Sequence, residues 1–295
     1  MLPKTVVPIL MPLLLAACAA PMRVSMTPEQ RNKISEVKTH VIVPQDEVIA
    51  AVQPSAASFA GIGAGLLGVT IGAMIDASVM SRRVNETQKL MGPLYANIED
   101  VDYRAEFGDA MKQESASHSV KIGQVVTTPR LLNMAELNQF RKTLKPNEAL
   151  LLLVPRYSLN MGFRNLDANS QVTVWLPGEG NAPVHHSFVR YQSQSVGEGG
   201  QGSMDLWSAN NASLFRSTLH ESASELTQMI LMDIDMVAQP AGPSEMRNFS
   251  LATGGRQTEI TGRVLKEDIN RTVVLDKSGT LYSLPKPEVA ALGQR

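Results

Sequence analysis

Cysteine is almost missing from this 295-residue chain. A single Cys18 permits no internal disulfide and no thiolate metal cluster within one chain. Charge of either sign is also sparse: 19% of residues are charged and the net charge is -1, so a broad electrostatic footprint for nucleic acid is absent. The five histidines, His40, His118, His185, His186 and His220, form no HxH, HxxxH or HExxH spacing. His185 and His186 are adjacent on an expected strand, so their side chains leave opposite faces and cannot readily share one metal. The glycine loop Gly197-Glu198-Gly199-Gly200-Gln201-Gly202-Ser203 lacks the P-loop lysine and fits neither GxGxxG nor GxSxG, and it reads as a flexible connector. Glu99, Asp100 and Asp102 lack calcium-loop spacing and its glycine, and read as a solvated turn. Arg156, Arg164 and Arg190 could line one sheet face toward an anion. No catalytic residue, cofactor or metal is assigned from these patterns.

What is present begins at the N-terminus. Lys4 precedes an apolar stretch from Thr5 to Leu15 that falls well short of the ~20 residues of a membrane-spanning helix. Small residues follow, so 1–17 reads as a signal peptide. Its last residues and the next, Leu15-Ala16-Ala17-Cys18, resemble the lipobox of bacterial lipoproteins. The resemblance implies that Cys18 carries a diacylglyceryl group, is acylated on its amino group, and becomes the first mature residue. Two or more acyl chains anchor stably, at ~0.8 kcal/mol for each buried methylene. Ala19 stands where aspartate would resemble the inner-membrane retention signal, so outer-membrane sorting is expected, with the protein facing the periplasm. Residues 18–35 then read as a lipidated terminus and tether.

Ser58 to Arg83 is apolar and glycine-rich. Gly61, Gly65, Gly68 and Gly72 fall four, three and four apart, which forms one bare stripe on a helix. Each glycine costs that helix ~0.8–1.0 kcal/mol relative to alanine, so close backbone packing must offset the loss. The stripe could line a transmembrane helix, pack on the protein's own sheet, or join protomers in the periplasm. A span would put most of a lipoprotein on the wrong side of the membrane, so packing within protein is the reading adopted. The stretch resembles glycine-zipper segments of bacterial envelope lipoproteins, with one zipper helix where two-helix versions carry a pair.

Further on, 36–240 reads as an α+β domain that includes the Gly-rich helix 58–83. Thr39 to Pro44 suits a strand, Asn133 to Thr143 a short helix, and Ala149 to Val154 a central strand. Gln171 to Leu176 and His185 to Gln192 alternate as strands do. Asn211 to Val237 is the strongest helix, with the stripe Phe215, Leu219, Ala223, Leu226, Ile230 and Ile234. Gly92-Pro93 is expected to divide the helical stretch before it. Residues 241–256 read as a linker and 257–295 as a small β module. The expected fold is an antiparallel sheet with helices on one face, a Gly-rich helix, and a small C-terminal β-hairpin module.

The function these features predict is that of a lipid-anchored, periplasm-facing envelope lipoprotein with a non-enzymatic structural or assembly role. Its partners would be the membrane, through the acyl chains on Cys18, together with copies of itself or other envelope proteins, and no nucleic acid. A lipid-tethered periplasmic hydrolase and a ligand-binding or trafficking lipoprotein are the alternatives. An apolar cavity between Val154, Trp175 and Leu226 would favour the ligand-binding alternative.

Overall fold

Strand β4 (Glu148–Leu159) organises the molecule, because its leucines leave both faces of the backbone apolar. Ala149, Leu151 and Leu153 enter the main core, whereas Leu150 joins Leu137 and Trp175 in a separate cluster on the opposite face. The computed structural model describes residues 23–51, 77–116, 118, 121–180, 182–236, 246–253 and 256–286. Cys18 and the stripe Gly61, Gly65, Gly68 and Gly72 lie outside them.

Around β4 the described residues form a mixed α/β fold. Its other strands are β1 (Glu36–Ile42), β2 (Ile49–Ala50), β3 (Lys121–Thr128), β5 (Leu166–Trp175), β6 (His185–Gln192), β7 (Met246–Thr253), β8 (Arg256–Glu267), β9 (Arg271–Asp276) and β10 (Thr280–Pro285). The ten strands make one sheet in the order β3-β1-β4-β5-β6-β10-β9-β8-β7, with β2 also pairing β4. The expected meander holds for β4-β5-β6, and β7 to β10 are antiparallel as well. The sheet as a whole is mixed, however, because β1 runs parallel to β3 and β4, β2 to β4, and β10 to β6. Parallel neighbours need long crossovers. Two described helices lie along the chain between β1 and β3, and another comes between β6 and the last four strands. Alternation within a strand reports its two faces but not the direction of its neighbour, which is why the sequence pattern missed this.

The helices are α1 (Pro28–Asn32), α2 (Ala77–Tyr95), α3 (Tyr103–Ser115), α4 (Met134–Lys142) and α5 (Gly200–Asp235). Helices α3 and α5 pack together on the main core, and α2 lies against α5. Helix α4 takes the other face, where Leu137 meets Leu150 and Trp175 and Phe140 stands edge-on to His40 at 4.9 Å. Helices on one face only was therefore an incomplete expectation. Both faces of β4 are apolar, and the second also needs a cover. Of the stretch 58–83, residues from Ala77 on are helical and open α2. Pro93 sits in the last turn of α2, and the division comes after Tyr95.

The expected stripe of α5 is buried throughout, from Phe215 to Ile234. The helix starts earlier than expected, at Gly200, and kinks at Ala209–Ala212. There Asn210, Asn211 and Ala212 have φ of 52°, 56° and 53°, left-handed values that asparagine tolerates better than most residues. The glycine connector is a tight turn into this helix. Gly199 (φ 106°) donates its N–H to Ser203 Oγ, and a Cβ at Gly197 would lie 2.9 Å from that oxygen. Strand β7 falls inside 241–256, with Leu251 packed against Val274, Tyr282 and Leu284. Val273, Leu275 and Leu281 of the same meander join the main core.

Candidate functional site

Among the described residues chemically capable side chains gather in several places, and two of these are candidate sites. The first lies where β6 meets α5. His185 points into the main core side of β6, and its Nε2 is 2.9 Å from Asp233 Oδ2 and 3.2 Å from Ser187 Oγ. A serine, a histidine and an aspartate in contact suggest a nucleophilic triad. The geometry is different: both partners meet the same ring nitrogen, whereas a triad holds the imidazole by one nitrogen and frees the other for the nucleophile. All three side chains are buried, leaving a substrate no approach.

Asp233 has a second partner. Arg23 Nη2 lies 2.5 Å from Asp233 Oδ1, and the contact is an ion pair rather than an aligned hydrogen bond. Burial alone would push the Asp233 carboxyl up; His185, Arg23 and Ser187 together outweigh it and hold the carboxyl below the usual range. Next to Arg23, Val24 exchanges backbone hydrogen bonds with His186 at 2.8 and 2.9 Å. Thr27 and Gln30 close a capping box on α1, and Arg31 pairs with Asp235 at 2.6 Å. Residues 23–35, read from sequence as the end of a tether, thus carry specific contacts to β6 and α5. Gly279 (φ 87°) makes room for them: a Cβ there would lie 2.6 Å from Arg23 Cβ.

The second place is a half-open cavity of about 460 Å³ beside β2, the end of α2 and the kink of α5. Its floor is Val48, Tyr157 and Phe215, all buried. Tyr95, Ile98 and Val101 form a wall, and Asp46, Glu47 and Glu99 stand at the exposed rim. Tyr95 donates its hydroxyl to the Val48 carbonyl at 2.9 Å. Tyr157 is only 4% exposed, and its hydroxyl has no hydrogen-bond partner among the described residues. Burial pushes that hydroxyl up to about 12; Arg104 pulls it back, and Asp102, Asp46 and Glu47 add to the rise.

The acids singled out from sequence separate in space. Asp102 caps α3 by accepting the Arg104 N–H, and Asp100 takes both terminal nitrogens of Arg216. Only Glu99 reaches the cavity. No group of three or more His, Cys, Asp or Glu among the described residues could hold a metal ion. Arg156 and Arg190 share one exposed row across Asn169, while Arg164 lies in the β4–β5 turn. Trp175 and Leu226 belong to clusters on opposite faces of the sheet, so no cavity joins them with Val154.

Sequence reading missed Arg23, Asp233, Gly279, Tyr95, Tyr157 and Phe215 as members of these two places. Asp233 left one trace, an acid beside the apolar stripe between Ile230 and Ile234. The cavity left none, because its walls come from four separate elements. Compared with protein-family models, curated proteins and solved structures, the chain finds no match.

Proposed function

We propose that this chain is a lipid-anchored, periplasm-facing protein of a bacterial outer membrane, with a structural or assembly role and no catalytic one. The lipobox-like Leu15-Ala16-Ala17-Cys18 carries the reading. Two further observations support it. The chain is clamped to the domain from Arg23 on, five residues after Cys18, which suits a protein held close to its anchor. The one Ser-His-Asp contact described above is buried and wired through a single nitrogen, which favours a structural use of those groups. No helix among the described residues is long and apolar enough to cross a membrane.

Mass spectrometry of the mature N-terminal peptide tests the anchor. The expected result is a Cys18 residue carrying a diacylglyceryl group and an amide-linked acyl chain, with a Cys18→Ser variant lost from the membrane fraction. An unmodified thiol would end the proposal. Crosslinking in intact cells tests the assembly role. Gly65→Leu or Gly68→Leu should abolish crosslinked copies or lower the melting temperature; variants that crosslink and melt like the parent would remove the packing role of the stripe.

A further inference from the structure

We propose that the cavity between β2, α2, β4 and α5 binds a small organic cation, an ammonium group carried on an apolar body. The lining residues are of three kinds, and each points to one part of such a ligand. Tyr95 offers partly exposed aromatic surface, over which a cation is attracted by the ring quadrupole, and the buried rings of Phe215 and Tyr157 back the floor. Val48, Ile98 and Val101 provide the apolar contacts that a hydrocarbon body fills. Asp46, Glu47 and Glu99 supply negative charge at the rim, and no lysine or arginine among the described residues lines the cavity.

Those carboxylates are not equivalent. Asp46 is taken by Arg104 at 2.9 Å, while Glu47 and Glu99 have no ion-pair partner among the described residues. The rim therefore keeps a net negative potential. The Tyr157 hydroxyl is the second, independent sign of a ligand. A polar side chain this deeply enclosed normally has a hydrogen-bond partner, and this hydroxyl is instead left open to the cavity. It belongs to the cavity floor, within electrostatic reach of Asp46 and Glu47 and also of Arg104. It can accept a hydrogen bond from an ammonium N–H while the two glutamates balance the charge. The volume of about 460 Å³ lies within the usual range for small-molecule sites.

Titration calorimetry of the full chain with benzylamine, and with its neutral isostere benzyl alcohol, tests the proposal. Saturable binding of benzylamine is expected, roughly tenfold tighter than that of the alcohol. Glu47→Gln combined with Glu99→Gln should weaken benzylamine by roughly three- to tenfold and leave the alcohol unchanged, as loss of two partly screened charges requires. Tyr157→Phe should weaken benzylamine as well, with an unchanged melting temperature showing that the fold persists. If phosphatidylethanolamine vesicles displace benzylamine, the ammonium belongs to a lipid headgroup; if only free amines do, it belongs to a soluble compound. Equal affinity for amine and alcohol, full affinity in the doubly neutralised variant, or no saturable binding of the amine would each overturn the proposal.

Discussion

Arg23 and Asp233 lie far apart along the chain, yet their side chains meet at 2.5 Å with only 9% and 0% of their surfaces exposed. This pair joins the first described residue to the last turns of α5. Breaking a buried pair by removing one partner costs about 3–5 kcal/mol, because it strands the other charge away from water. Here His185 still touches Asp233, so Arg23→Met should fall near the low end, about 3 kcal/mol, in urea unfolding at neutral pH. Asp233→Asn should also destabilise, and the double variant should lose at least about 1 kcal/mol less than the sum. Additive losses would show that the two charges do not support each other. Asp233 also gives the pair a pH signature. Its folded carboxyl sits below the unfolded value, so its contribution is present above the unfolded pKa and is lost as pH falls through the folded one.

Gly279 should prove to be the seat of the clamp. Adding a Cβ at φ 87° strains the backbone and drives into the stem of Arg23. Gly279→Ala is expected to cost about 1–3 kcal/mol and to open the Arg23–Val24 bond to trypsin, which the buried guanidinium otherwise resists. Gly178→Ala is the control. It has the same kind of backbone strain (φ 78°) with nothing within 4 Å, so cleavage at Arg23 should stay slow. Equal protection in both variants would separate Gly279 from the docking of Arg23.

Asp167 predicts the opposite pH behaviour from Asp233. Burial pushes its carboxyl up to about 6, against partial opposition from the Gln192 amide, which donates to Oδ1 at 2.8 Å, and from Arg190. The folded state then binds more protons than the unfolded state between about pH 4 and pH 6. This contribution is whole below about pH 4 and lost as pH rises through the folded value. Asp167→Asn keeps an acceptor for Gln192 without the charge. It should stabilise the protein at pH 8 by up to about 2 kcal/mol and change little at pH 4, in parallel denaturant titrations. A variant less stable at pH 8 would show the carboxylate to be favourable where it lies.

The kink of α5 can be probed at Asn211, whose exposed side chain leaves backbone conformation as the main variable. Asn211→Val should cost about 1–2 kcal/mol, since a β-branched residue resists φ near 56°. Asn211→Gly should be neutral or mildly stabilising. Circular dichroism melts of the two would settle it; a valine variant as stable as the glycine one would mean that the kink straightens at no cost.

Much of the secondary structure was legible in the chain. The stripe of α5, the alternation of β5 and β6, and the expected helix at Asn133 to Thr143 correspond to observed elements, because local periodicity records which side of an element is buried. His185 and His186 do leave opposite faces, one toward Asp233 and the other toward Gln171 and Phe188. Other features were not legible. Strand β7 sits at the sheet edge with a single neighbour, and its alternation is too weak to mark it. The parallel pairings and the second-face position of α4 depend on which elements meet, about which spacing along the chain is silent.

By itself the sequence determined the local elements, the scarcity of charge and cysteine, and the lipobox-like run that carries the functional proposal. All of these are properties of near neighbours in the chain. Only the tertiary structure decided that Arg23 answers Asp233, that Gly279 leaves space for it, and that Tyr157, Phe215, Glu47 and Glu99 surround one cavity. Such groupings follow from excluded volume and from the need to pair buried charge, which act through space and leave no periodic mark in the order of residues.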